Sequence, residues 1–185
     1  MKLNAKELRR FPHSSLKGKL MKTLTKRGVK KQEIYIILDN VLDTYNIGSI
    51  FRLADAVAAK KIYLCQGSET PPNHRIKKAS INTSEWVEWE YHESAAELIR
   101  NLKLEIRNLK LIAIEQTTDS IPYDKFGYKL PIALVVGHET DGVSPEVLKL
   151  CDAVVELPMF GVNISLNVMV SLGIVLYQVI EKTSP

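Results

Sequence analysis

The chain has 185 residues, 45% of them hydrophobic and 25% charged, the profile of one ordinary globular domain. No run approaches the roughly 20 apolar residues that cross a bilayer. The N-terminus MKLNAKELRRFPHSS lacks the apolar stretch of a signal peptide, and the two isolated cysteines, Cys65 and Cys151, suit neither a disulfide framework nor a zinc site, so a cytoplasmic protein is expected.

The net charge of +4 hides an asymmetry. Residues 1–31 hold eleven Lys and Arg against Glu7 alone and carry +10, while the other 154 residues carry −6. A basic arm on a mildly acidic body is the electrostatic footprint of a nucleic-acid binder. The plainer reading is a solvated pair of helices. The expected organisation is a basic helical arm over 1–31 and one domain over 32–185.

After the arm, β-rich runs alternate with helical patterns. EIYIILD (33–39) reads as a buried strand, and NIGSIFRLADAVA (46–58) as a helix with Asn46 a plausible cap. KIYLC (61–65) is a second strand, SETPPNHR (68–75) a loop, and WVEWEY (86–91) alternates like a half-exposed strand. An amphipathic helix over 93–108, capped at or near Ser94, leads to the strand LKLIAIEQ (109–116) and a polar loop. IALVVGHE (132–139) and AVVELPM (153–159) are further strands, separated by the short helix SPEVLKLC (144–151). A final helix is expected from about Ile164 to Lys182. This alternation implies an α/β fold, a mainly parallel sheet flanked by helices, with its site in the loops at the carboxyl ends of the strands.

Three such loops carry unusual residues. In LDNVLDTYNIGSIFRLAD (38–55), Arg52 interrupts an apolar helix and needs a carboxylate, a phosphate or water. Asn46 and Arg52 are six apart, about 600° around a helix, and need not share a face. An ion pair of Arg52 with Asp43 or Asp55 would explain it structurally. In VVGHETDGVSPE (135–146), Gly137 and Gly142 let backbone approach a ligand, and Glu139 can accept hydrogen bonds. It is neither GxGxxG nor a P-loop, which lowers the case for a dinucleotide or a nucleoside triphosphate. In LPMFGVNISLNV (157–168), Ser165 and Asn167 are expected on the first turn of the last helix, whose free N–H groups suit an electron-rich ligand. Capping by Asn163 or Ser165 accounts for one polar residue there, not for three.

Taken together, NIGSIFRLAD, VVGHETDGVSPEVLKLCD and ELPMFGVNISLNVMVSLGIVLY resemble the three motifs of the SpoU (TrmH-like) RNA methyltransferases of the SPOUT superfamily, over roughly residues 34–182. The resemblance implies S-adenosylmethionine as methyl donor, ribose 2′-hydroxyls of tRNA or rRNA as acceptors, a homodimer, and a C-terminal trefoil knot. Carried onto this chain, it makes Arg52, Asn46, Glu139, Ser165 and Asn167 the catalytic candidates. It places Glu115, Gln116, Thr117, Gly137, Leu157 and Leu166 around the cofactor. The arm is too short for the small ribosomal-protein-like domain of many relatives. RNA selection is therefore expected to rest on Arg9, Arg10, Lys17 and Lys19, on Arg52, on Arg75 in the 68–80 loop, and on a dimer groove. No metal is implied; His13, His74, His92 and His138 are scattered, with only His138 inside a motif. A non-catalytic RNA-binding protein of the same fold is the alternative. A nicotinamide or flavin enzyme is disfavoured by the missing GxGxxG.

Overall fold

The computed structural model describes residues 30–183; residues 1–29 of the arm, with Arg9, Arg10, Lys17 and Lys19, lie outside the described residues. Seven strands form one sheet: β1 (Gln32–Asp39), β2 (Ala59–Cys65), β3 (Trp89–His92), β4 (Lys110–Ile114), β5 (Ile121–Pro122), β6 (Ile132–Gly137) and β7 (Ala153–Glu156). Their order is β3-β2-β1-β6-β4-β7-β5, and every pairing is parallel. Strand β6 thus inserts between β1 and β4, which precede it in sequence.

The side-chain period of two divides β1 between two cores. Ile34, Ile36 and Leu38 face one core with α1 (Thr44–Ala56), α2 (His74–Ser80) and α5 (Val168–Thr183). Tyr35 and Ile37 face the other, with α3 (Ala95–Glu105) and α4 (Pro145–Leu148). A strand buried on both faces must be apolar throughout, and EIYIIL is nearly so.

Ser94 caps α3 as expected, its hydroxyl accepting from Glu97 N at 3.2 Å. Three of the differences from the sequence reading shape the site and its surroundings. The cap of α1 is Asp43, whose carboxylate accepts from Tyr45 N at 2.7 Å, so Asn46 falls inside the helix and becomes buried. Residues 74–80, within a segment read as loop, form α2, because Asn73 accepts from Arg75 N and Ile76 N at 2.8 and 3.3 Å. Helix α5 starts at Val168 rather than Ile164. Asn167 caps it, accepting from Met169 N and Val170 N at 3.0 and 3.4 Å, and Ser165 lies before the helix instead of on its first turn. A Cβ on Gly48 would sit 2.6 Å from both Ala79 Cβ and Ile76 O, so glycine there permits the close crossing of α1 and α2.

Candidate active site

The register aligns the carboxyl ends of the central strands: Asp39 of β1 is level with Cys65 of β2 and Gly137 of β6. Acidic residues stand at or just beyond several of these ends, and three of their carboxylates collect backbone N–H groups from neighbouring loops. Asp39, 1% exposed, accepts from Ser144 N and Gln66 Nε2, each at 2.8 Å. Glu115, just after β4, accepts from Gln116 N and Val143 N at 2.8 and 2.9 Å. Glu139, just after β6, accepts from Leu42 N, Asp43 N and Asn46 Nδ2 at 3.1, 3.0 and 3.0 Å.

From Glu139 one chain of hydrogen bonds crosses all three motif loops. Asn46 gives its amide N–H to the carboxylate, which leaves its Oδ1 to accept from Asn167 Nδ2 at 3.0 Å. Asn167 has then committed its nitrogen, and its oxygen caps α5. Carboxylate at one end and helix N–H groups at the other fix the orientation of both amides. Burial pushes the Glu139 carboxyl up, but the hydrogen bonds from Asn46, Asp43 and Leu42 outweigh it and hold the group below its ordinary value. An ionised, three-fold hydrogen-bonded carboxylate at neutral pH is an organiser of loops and a poor proton acceptor.

These loops enclose a cleft of about 530 Å³ between the ends of β4, β6 and β7 and the 157–167 segment. Glu115, Gln116, Gly137, Glu139, Leu157, Ser165, Leu166 and Asn167 line it. Gln116 Nε2 donates to Ile164 O at 2.6 Å and closes the far wall. Gly142 has φ +71°, and a Cβ there would meet Glu115 Oε2 at 2.1 Å, so the turn at residues 138–142 depends on glycine for conformation and for space.

Not every expected residue reaches the cleft. Thr117 does not line it; its N–H and C=O are both bound to Ser120 Oγ, at 3.3 and 2.8 Å, in a turn beyond β4. Asn46 meets the cleft only through Glu139 and Asn167. Arg52 is exposed and outside the lining, about 9 Å further along α1 from Asn46 and about 120° around it. Neither structural partner holds Arg52: Asp43 caps α1, and Asp55 accepts from Trp86 Nε1 at 2.7 Å. Arg75 stands exposed in the first turn of α2. Sequence reading did not single out Met159, Ile164, Ser171, Thr140, Asp141 and Glu156, which also line the cleft. Glu156 ends a strand and Met159 and Ile164 stand in the third motif, so position was a usable signal for them.

The all-parallel α/β sheet, with its strand-end loops gathered around one cleft, is the fold of SpoU/TrmH-type methyltransferases. The chain belongs to the SpoU rRNA Methylase family, whose model matches residues 33–177. It is 31% identical, over 86% of its length and 73% of the relative's, to the tRNA (guanosine(18)-2′-O)-methyltransferase of Aquifex aeolicus. It is 30% identical, over 85% of its length, to the 23S rRNA (guanosine-2′-O-)-methyltransferase RlmB of Ralstonia nicotianae, of which it spans 62%. The crystal structure of the A. aeolicus TrmH/SpoU tRNA modifying enzyme superimposes with a TM-score of 0.79 at 28% identity, covering 89% of this chain and 83% of that one. The AdoMet-bound rRNA methyltransferase of Sinorhizobium meliloti gives 0.74 at 26% identity, covering 84% and 59%.

Proposed function

We propose that this protein is a cytoplasmic, S-adenosylmethionine-dependent methyltransferase that modifies a ribose 2′-hydroxyl of tRNA or rRNA. The observation that carries the reading is the Glu139–Asn46–Asn167 chain, which brings the three motif loops to one cleft. The cleft suits the cofactor. Its volume falls within the range of about 300–1,000 Å³ usual for small-molecule sites. Ile114, Val136, Leu157 and Leu166 offer apolar surface, while Glu139, Asp141 and Glu156 offer negative charge to a cation, with no Lys or Arg in the lining. Bound there, S-adenosylmethionine would supply an electrophilic methyl group on a sulfonium, with a neutral thioether as leaving group. The protein's task is position, worth up to roughly 7–11 kcal/mol in favourable cases, while the hydroxyl proton passes to solvent water.

Arg52 takes no part in holding the cofactor on this reading. It binds the phosphate beside the reacting ribose and stabilises the developing alkoxide; a guanidinium, with a pKa of about 12 or higher, is an unsuitable base. The reading also includes a homodimer and the knotted C-terminal region of the family. Phe160, Val162 and Ile164 are 96, 100 and 81% exposed in one short segment, and Val170 and Tyr177 stand out from α5, an apolar surface that a second copy would cover. Sedimentation at micromolar concentration is expected to give twice the 20.9 kDa chain mass; a monomer would remove the dimer from the proposal.

The deciding experiment transfers labelled methyl from S-adenosylmethionine to bulk RNA that lacks this protein's modification, with Arg52→Ala in parallel. Label mapping to a ribose and lost in the variant is the expected result. Cofactor binding without label in any RNA would favour the non-catalytic RNA binder.

A further inference from the structure

His138 sits where β6 turns into the cleft, its side chain 20% exposed. Backbone bonds run both ways between it and Gly142, at 3.0 and 2.9 Å, and pinch residues 138–142 into a tight turn. Inside that turn the ring nitrogen Nδ1 accepts from Thr140 N and Asp141 N, each at 3.2 Å. An imidazole nitrogen that accepts carries no proton, so the neutral ring bears its proton on Nε2. The Asp141 carboxylate lies 3.3 Å from the same Nδ1. The turn therefore has two incompatible hydrogen-bond arrangements. With the ring neutral, Nδ1 holds two backbone N–H groups. With the ring protonated, Nδ1–H faces those same donors and has the Asp141 carboxylate within reach, and the two N–H groups lose their acceptor.

We propose that His138 is a positioning residue: its bare Nδ1 holds the 138–142 turn in the shape that receives the cofactor, and protonation of the ring releases it. The inference rests on the cofactor assignment above. His138, Glu139, Thr140, Asp141 and Gly142 all line the cleft, so the turn's shape is part of the cleft's shape. Asp141 is the carboxylate that meets the ring, and the other charged groups lining the same cleft are Glu115, Glu139 and Glu156, all carboxylates. Glu139 is held below its ordinary value and stays ionised across the imidazole range. Cofactor binding therefore favours the ring with a bare Nδ1, and affinity falls on acidification.

The test measures dissociation constants of S-adenosylmethionine and S-adenosylhomocysteine by calorimetry at pH 6 and pH 8, on the full chain. Two variants separate the roles. His138→Asn supplies a side-chain oxygen that accepts from the N–H groups two and three residues on, and it does not titrate. His138→Ala supplies nothing. At pH 8 the Asn variant is expected within about threefold of wild type and the Ala variant about tenfold weaker. Between pH 8 and pH 6 wild type is expected to lose several-fold more affinity than His138→Asn; the ligand's own amino group titrates equally in both and cancels. Imidazole 15N spectra of the free protein at pH 8 should show the Nε2–H form. An Asn variant that follows the wild-type pH dependence, an Ala variant that binds like wild type, or an Nδ1–H ring would each overturn the inference and leave the function standing. A wild-type protein that binds neither ligand at either pH overturns the function as well.

Discussion

Glu139 shows how a residue of a reactive-looking motif can serve by holding still. Its carboxylate receives three N–H groups from the entry to α1 and its first turn, two on Oε1 and one on Oε2, so most of its bonding capacity is spent on holding these loops. In Glu139→Gln one oxygen becomes an NH2 group that confronts donors. A stability loss of about 1–2 kcal/mol is expected, read as a fall of roughly 2–4 °C in Tm per kcal/mol. The pH dependence has a definite sign. The folded carboxyl lies below its ordinary value, so its stabilisation is complete above the unfolded value of about 4.3 and is lost as pH falls through the lower folded value. Melting curves taken from pH 5 downwards should show wild type losing more Tm than Glu139→Gln. Arg52 presents the opposite case, an exposed cation on α1 whose nearby carboxylates are engaged elsewhere. If its planar fork grips a phosphate, Arg52→Lys should lower kcat about a hundredfold while cofactor affinity stays within twofold, because Arg52 does not line the cleft. Near-full activity in Arg52→Lys would refute the two-point grip.

Among the elements, the start of α5 couples fold to site. Asn167 caps the helix with its oxygen and binds Asn46 with its nitrogen, so one side chain does two jobs that a substitution can separate. Asp is a good cap, but it presents a second acceptor to Asn46 Oδ1. Asn167→Asp should therefore keep most of the roughly 1 kcal/mol a cap contributes, and lose cofactor affinity and methyl transfer about tenfold. Equal losses of Tm and activity in Asn167→Asp and Asn167→Ala would reduce the residue to a cap. The same helix marks a limit of sequence reading. Asn163, Ser165 and Asn167 are all capping types at nearby positions, and pattern alone does not choose among them; the bond from Asn46, 121 residues earlier, singles out Asn167. Helix α1 shifted for the same reason, since Asp43 and Asn46 are both good caps and Glu139 draws Asn46 into the helix. Helix α2 was missed because Pro71 and Pro72 make its start look like loop, and only Asn73 signals the cap. Strands survived better, apart from the two-residue β5 in a stretch read as polar loop, the others moving by a few residues at most, because burial on both faces demands apolar runs that periodicity detects.

At the scale of the whole molecule, alternating strands and helices revealed a parallel sheet covered on both faces, but not its order. Nothing local tells β6 to enter between β1 and β4, or β7 to enter between β4 and β5. The site was legible as three motifs; their union in one cleft became visible only once that order was known, because β4, β6 and β7 are neighbours in the sheet. Charge, by contrast, needs no fold to be read. The first 31 residues carry +10 and the rest −6, so attraction to RNA should concentrate in the arm while the acidic cleft favours a cationic cofactor. Replacing Arg9, Arg10, Lys17 and Lys19 together by Gln separates these two functions. Each cation that neutralises a phosphate contributes roughly 0.7–0.9 to the slope of log affinity against log salt, so the quadruple variant should flatten that slope by up to about 3.6. Its affinity for S-adenosylmethionine should not change. If the slope survives intact, the RNA is gripped by the folded body, and Arg75 with the other basic residues of α2 becomes the next surface to neutralise. If cofactor affinity falls along with the slope, arm and cleft are coupled, and the electrostatic division of labour between them is wrong.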